Sequence, residues 1–109
     1  MKPHTKIYME YFGYTIGDYV PCEITGRPTQ DISHNDPRGM GGSKEKDGIE
    51  NLMALTRPLH AYLEANPKLY DWFKARHLEF MECQRPYAFM LGSRFDLVFK
   101  EIIKQLTKQ

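Results

Sequence analysis

Two histidines, one asparagine and a glycine-rich segment lie close together in this chain: His34, then Arg38-Gly39-Met40-Gly41-Gly42, then Asn51, then His60. The gaps are 17 residues from His34 to Asn51 and 9 from Asn51 to His60. A neutral imidazole accepts a proton from water near neutral pH, so His34 is a candidate general base. A ring nitrogen of His60 can bind a divalent metal. Asn51 does not titrate, and its amide suits orienting a group rather than moving a proton. Any two histidines can be unrelated surface or core residues. The glycines between them and the apolar run Leu52-Met53-Ala54-Leu55 after the asparagine make this pair a pattern.

A base and a metal ligand cooperate only if the chain brings them within reach. Gln30 to His34 reads as a short strand, and Leu52 to Thr56 alternates weakly enough to be a second. Between them, residues 35–50 form a polar loop with four glycines and one proline, and long loops in small domains are commonly functional. Pro58 suits the first turn of a helix running to about Ala65. The order is therefore strand, long loop, strand, helix. His34 sits on the first strand, His60 on the helix, and the return of the loop brings them together.

The flanking segments supply packing. Residues 7–20 carry Ile7, Tyr8, Tyr11, Phe12, Tyr14 and Tyr19, and read as an irregular arm with one short helix or strand. Gly13 and Gly17 argue against a long helix there. Residues 21–29 look like a turn punctuated by Gly26 and Pro28. Asn66-Pro67 resembles the cap and first position of another helix, with Leu69, Phe73, Arg76 or His77, and Phe80 at helical spacing. The clearest helix is the last, where Phe95, Val98, Phe99, Ile102, Ile103 and Leu106 make one apolar stripe. Lys100, Lys104 and Lys108 make a basic row on another face, read either as a solvated face or as a phosphate-contacting stripe.

With 109 residues the chain suits one domain. Its 41% apolar and 13% aromatic content is enough for a core, which argues against disorder. A net charge of +1 is low for a nucleic-acid-binding domain, so the placement of the basic residues matters more than their sum. No apolar run approaches the roughly 18 residues that span a bilayer, and the first residues lack a signal-peptide core. The expectation is a cytoplasmic protein with no membrane partner. Cys22 and Cys83 make no disulfide framework and read as free thiols.

The set Asp31-Ile32-Ser33-His34, Arg38–Gly42, Ile49–Leu55 and His60 resembles the core of HNH endonucleases over about residues 20–80. The resemblance implies an α+β fold, with a small ββα-metal (HNH) core and additional C-terminal helices, mainly helical overall. One domain, 1–109, then comprises an aromatic arm at 1–20, the core at 21–65 and a helical extension at 66–109, the arm and the last helix not being explained by the resemblance. It implies hydrolysis of DNA phosphodiester bonds with one divalent metal, magnesium or manganese, nickel and zinc being other ions for the same site. By resemblance His34 is the base, Asn51 holds it in line, and His60 and position 33 are metal ligands. DNA is the implied partner, with Arg38, Lys44, Lys46 and Arg57 as candidate phosphate contacts. Free-standing HNH proteins are common in phages and mobile elements, so the resemblance implies such a source.

Two departures qualify the match. Position 33 is Ser33, and a neutral hydroxyl is a poor ligand beside imidazole or carboxylate. A water replaces it, Asp31 or Glu64 assists, or the site is weak. The family's four-cysteine structural zinc frame falls here on Cys22, Thr25, Thr56 and Leu59, which cannot make a tetrahedral zinc site. The expectation is no structural zinc, with aromatic packing in its place. The alternative function is a catalytically weakened HNH-fold DNA-binding module. A third class is a protein-interaction domain that uses the arm and the last helix.

Overall fold

The computed structural model describes residues 2–35 and 48–108, and begins with a helix where the sequence suggests an irregular arm. Helix α1 spans Pro3–Phe12. Pro3 lies in its first turn, where the missing N–H is no loss. Gly13 ends it in the left-handed region at φ 77°, and its N–H bonds Glu10 while that of Tyr14 bonds Met9, a Schellman closure. Gly13 thus stops the helix at its C-terminus and leaves ten residues in front of it intact.

The turn expected at 21–29 is a tight knuckle. Pro21 and Pro28 pair across it, Cys22 N–H bonds the Arg27 carbonyl at 2.7 Å, and Gly26 N–H bonds the Cys22 carbonyl at 2.8 Å. Gly26 is needed twice over. Its φ is +79°, and a Cβ there would meet the ring of Phe89 at 2.5 Å.

Strands β1 (Ile32–His34) and β2 (Leu52–Ala54) form an antiparallel pair, with Ile32 opposite Ala54, Ser33 opposite Met53 and His34 opposite Leu52. Both are shorter than the sequence suggests. Every residue of β2 is buried, because the strand faces a core on each side. Leu52 and Ala54 join Tyr8, Met9, Val20 and Ile32, whereas Met53 and Leu55 join Cys22, Ile24, Leu63, Leu69 and Phe73. Period-two alternation divides the strand between the two clusters. The small sheet therefore lies between α1 and the C-terminal helices.

Helix α2 (Arg57–Ala65) carries a proline in its first turn. Asn66 does not cap the next helical segment with its side chain. Its amide donates to the Tyr62 carbonyl at the end of α2, and Pro67–Leu69 makes a 3-10 turn. Helix α3 (Tyr70–Cys83) then buries Phe73, His77 and Phe80. It ends at Gln84 in the left-handed region (φ 52°), with Pro86 just beyond. A five-residue α4 (Tyr87–Leu91) and a 3-10 turn lead into α5 (Phe95–Thr107).

The apolar stripe of α5 packs Phe95, Phe99, Ile103 and Leu106 on the second cluster, yet none of its residues is fully buried. Its Lys100, Lys104 and Lys108 are exposed. The fold is α+β and mainly helical, with five α-helices and one two-stranded sheet among the described residues. No described helix is long and apolar enough to cross a membrane.

Candidate functional site

One cleft of about 640 Å³ opens between the start of α1, β1 and α2. Its walls carry His4, Asp31, His34, Arg57, His60 and Glu64. The two histidines singled out by spacing thus meet in one cleft. His34 arrives there because strand alternation turns it to the same side as Ile32. His60 arrives because it lies in the first turns of α2, directly after β2.

A carboxylate stands near each ring nitrogen of His60, and only the one at Nδ1 is within hydrogen-bond distance. Nδ1 lies 3.0 Å from Asp31 Oδ2, and Nε2 lies 3.6 Å from Glu64 Oε1 one helical turn on. Arg57 Nη1 approaches the same Asp31 oxygen at 3.3 Å. Partial burial acts to raise the Asp31 pKa, but the hydrogen bonds and charges of His60 and Arg57 outweigh it and hold the carboxyl below its ordinary value. Arg57 is mostly exposed at the rim, so its pairing with Asp31 contributes little to stability.

The other expected site residues divide sharply. Asn51 is buried, 5% exposed, in a 3-10 turn at Ile49–Asn51 that leads into β2. Its carbonyl accepts the N–H of Asn35, one residue beyond His34, at 2.8 Å. It therefore braces the end of β1 from behind and does not stand on the cleft wall. Ser33 is not brought to the cleft. Alternation sends it to the side opposite His34, it is 1% exposed, and its hydroxyl donates to the His34 carbonyl at 3.4 Å. Arg38, Lys44 and Lys46 lie outside the described residues.

The donor set suits one divalent ion in part. Asp31 and Glu64 approach opposite nitrogens of His60 and do not converge. Among the described residues no group of three His, Cys, Asp or Glu could hold a metal ion. What the geometry offers is a pair: His60 Nε2 and the Glu64 carboxylate, on one face of α2. With its hydrogen on Nδ1, His60 donates to Asp31, the outer contact that commonly fixes a metal-binding imidazole. Imidazole nitrogen and carboxylate oxygen together suit manganese, nickel or zinc, and carboxylate with water suits magnesium.

Of the four positions compared above with a zinc frame, Cys22 lies in the apolar cluster and Leu59 packs against that cluster. Cys22 is fully buried there, and the Thr25 N–H points at its sulfur at 3.4 Å.

Sequence reasoning missed a second polar constellation. Glu23, next to Cys22, is 1% exposed, and Tyr8 and His77 are fully buried. Tyr8 donates its hydroxyl to Glu23 Oε2 at 2.5 Å, and His77 Nδ1 lies 2.7 Å from Glu23 Oε1. The Ala54 N–H adds a contact to Oε2 at 3.3 Å, and His77 Nε2 lies 2.7 Å from the Ile49 carbonyl. A carbonyl only accepts, so Nε2 bears a hydrogen, and a proton also lies between Nδ1 and the carboxylate.

Burial raises the Glu23 pKa, and the hydrogen bonds and charge of His77, with those of Tyr8 and Ala54, offset this only in part. Burial also opposes a charged His77, but Glu23 and the Ile49 carbonyl outweigh it and raise the imidazole pKa. Burial, then the Glu23 charge, push the Tyr8 phenol far above its usual range. The sequence did carry one signal. His77 occupies a core-facing position in the apolar row of α3, where a polar side chain needs a partner.

Comparison with protein-family models, with curated proteins and with solved structures finds no match to this chain.

Proposed function

We propose that this protein is a metal-dependent endonuclease of the HNH kind, hydrolysing phosphodiester bonds in DNA. The observation that supports it is the meeting of His34 and His60 in one cleft, His60 being held at Nδ1 by Asp31 with Glu64 near its Nε2. His34, on the cleft wall, takes a proton from a water that attacks the scissile phosphorus. The phosphorus–O3′ bond breaks, and the leaving oxygen takes a proton from solvent. His60 Nε2 and Glu64 are the groups that hold the divalent ion, and Asp31 fixes the imidazole that faces it. The ion, when bound, stabilises the charge that develops on the phosphate oxygens. Arg57 at the rim can exchange Asp31 for a phosphate of the same strand.

A second reading is a weakened DNA-binding module of the same ancestry. The remote, buried Ser33 and the lack of a convergent three-ligand group among the described residues favour it. Supercoiled plasmid with added Mg²⁺ or Mn²⁺ separates the two. Nicking that EDTA stops, and that His34→Ala lowers by about 10²- to 10⁴-fold at unchanged DNA affinity, supports the enzyme. Retention of DNA with no nicking in either metal supports the module.

A further inference from the structure

Helix α1 is not accounted for by the strand–loop–strand–helix core, yet its first turn forms part of the cleft wall. The ring of His4 stands against that of His34, with centroids 4.6 Å apart and planes tilted by 50°. This is aromatic contact distance. We infer that His4 is a positioning residue for His34: its ring fixes the orientation of the general base in the cleft. The inference rests on the nuclease reading for its consequence in activity, though not for the contact itself.

Three features make the contact a fixed one. His4 and Tyr8 are four residues apart on α1, hence on the same face of the helix. Tyr8 is fully buried and donates to Glu23, which is in turn tied to His77 of α3. Met9 adds a second buried anchor in the same turn. The helix is thus bolted to the core one turn beyond His4. His34 lies at the end of a three-residue strand, where the ladder alone constrains a side chain weakly. A ring delivered by a separately anchored helix adds a constraint on the imidazole. On this inference the ring itself makes the contact, so another planar ring of similar size should replace it.

Two variants test this. His4→Ala removes the ring, and His4→Phe keeps a ring without the nitrogens. The first readout is the carbon-bound ring signals of His34 by NMR, on the full chain without metal or DNA, assigned with His34→Ala. The second is the nicking rate on supercoiled plasmid at saturating DNA. His4→Ala should move or broaden the His34 signals and lower the rate about 10- to 100-fold, as a misplaced reacting group does, with the melting transition retained. His4→Phe should restore the rate to within about threefold of the parent.

Unmoved His34 signals in His4→Ala overturn the inference. So does a rate lost equally in His4→Phe, because His4 then acts through its nitrogens. Should the parent protein fail to nick while the His34 signals still respond to His4→Ala and recover in His4→Phe, the nuclease reading fails and the positioning contact stands.

Discussion

Replacing His77 by phenylalanine tests the buried network with little change in ring volume. The variant leaves Glu23 in the core without its closest partner, and it strands the carbonyl of Ile49. Removing one partner of a buried ionic pair costs about 3–5 kcal/mol, and an unpaired buried carbonyl about 1–3 kcal/mol. Glu23 can escape part of the first cost by taking a proton, which its raised pKa favours. The expected loss is therefore near the lower end, about 4 kcal/mol, out of the roughly 5–15 kcal/mol that holds a domain together. At roughly 4–8 °C per kcal/mol for a domain near this size, the melting temperature falls by about 15–30 °C.

The informative control is Glu23→Gln. Its amide oxygen can accept from Tyr8 and Ala54, and its NH₂ can donate to His77 Nδ1 while Nε2 keeps its hydrogen for Ile49. Every partner is retained, and the loss stays near 1 kcal/mol. Urea unfolding followed by Trp72 fluorescence measures both. Trp72 packs against Phe73, Tyr87 and Phe99, so its emission reports the core directly. A loss below about 1.5 kcal/mol for His77→Phe would refute the reasoning, and so would equal losses in the two variants.

The pH dependence has a definite sign. Folded Glu23 and His77 both hold protons more tightly than the unfolded chain does, so their contribution is full below the unfolded values and is lost as pH rises through the folded ones. Stability should fall as pH rises above the unfolded values, by up to about 1.4 kcal/mol per pH unit for each retained proton, and less steeply in Glu23→Gln. A slope unchanged by that substitution refutes the assignment. Asp31→Asn leaves His60 with a weaker outer contact, and calorimetric titration with Mn²⁺ should show affinity lower by about 10- to 100-fold. EDTA should leave the melting temperature nearly unmoved, and Cys22→Ser should cost about 1–2 kcal/mol, as for a small buried apolar group. Stoichiometric zinc in the purified protein, with a large drop in EDTA, would contradict the apolar reading of that corner.

Local signals made part of the fold legible in advance. Pro58 and the apolar row of α5 announced their helices, and the order around His34 and His60 announced that they would meet. The tertiary polar contacts had no such signature. Glu23 and His77 are 54 residues apart, and Glu23 stands in the sequence as one more charged residue beside a cysteine. Ser33 shows the complementary limit. The resemblance implied a metal-ligand role for position 33 beside His34, but in a strand adjacent side chains face opposite sides. The arm holds one short helix, and Pro3 and Gly13 are its start and stop marks, which set its bounds at Pro3 and Phe12.

The anchoring of α1 has a consequence for the order of events during synthesis. Helix α1 leaves the ribosome before His77, the residue that completes the polar anchor of Tyr8 and Glu23, has been made. At a translation rate of about 5–20 residues per second, the 54 residues from Glu23 to His77 take roughly 3–10 s. A ten-residue helix is only marginally stable alone, and Phe12, which packs on Phe80 of α3, lacks that partner for those seconds. A nascent chain stalled before His77 should expose the Phe12 ring to chaperones and proteases, and one released after α3 should not.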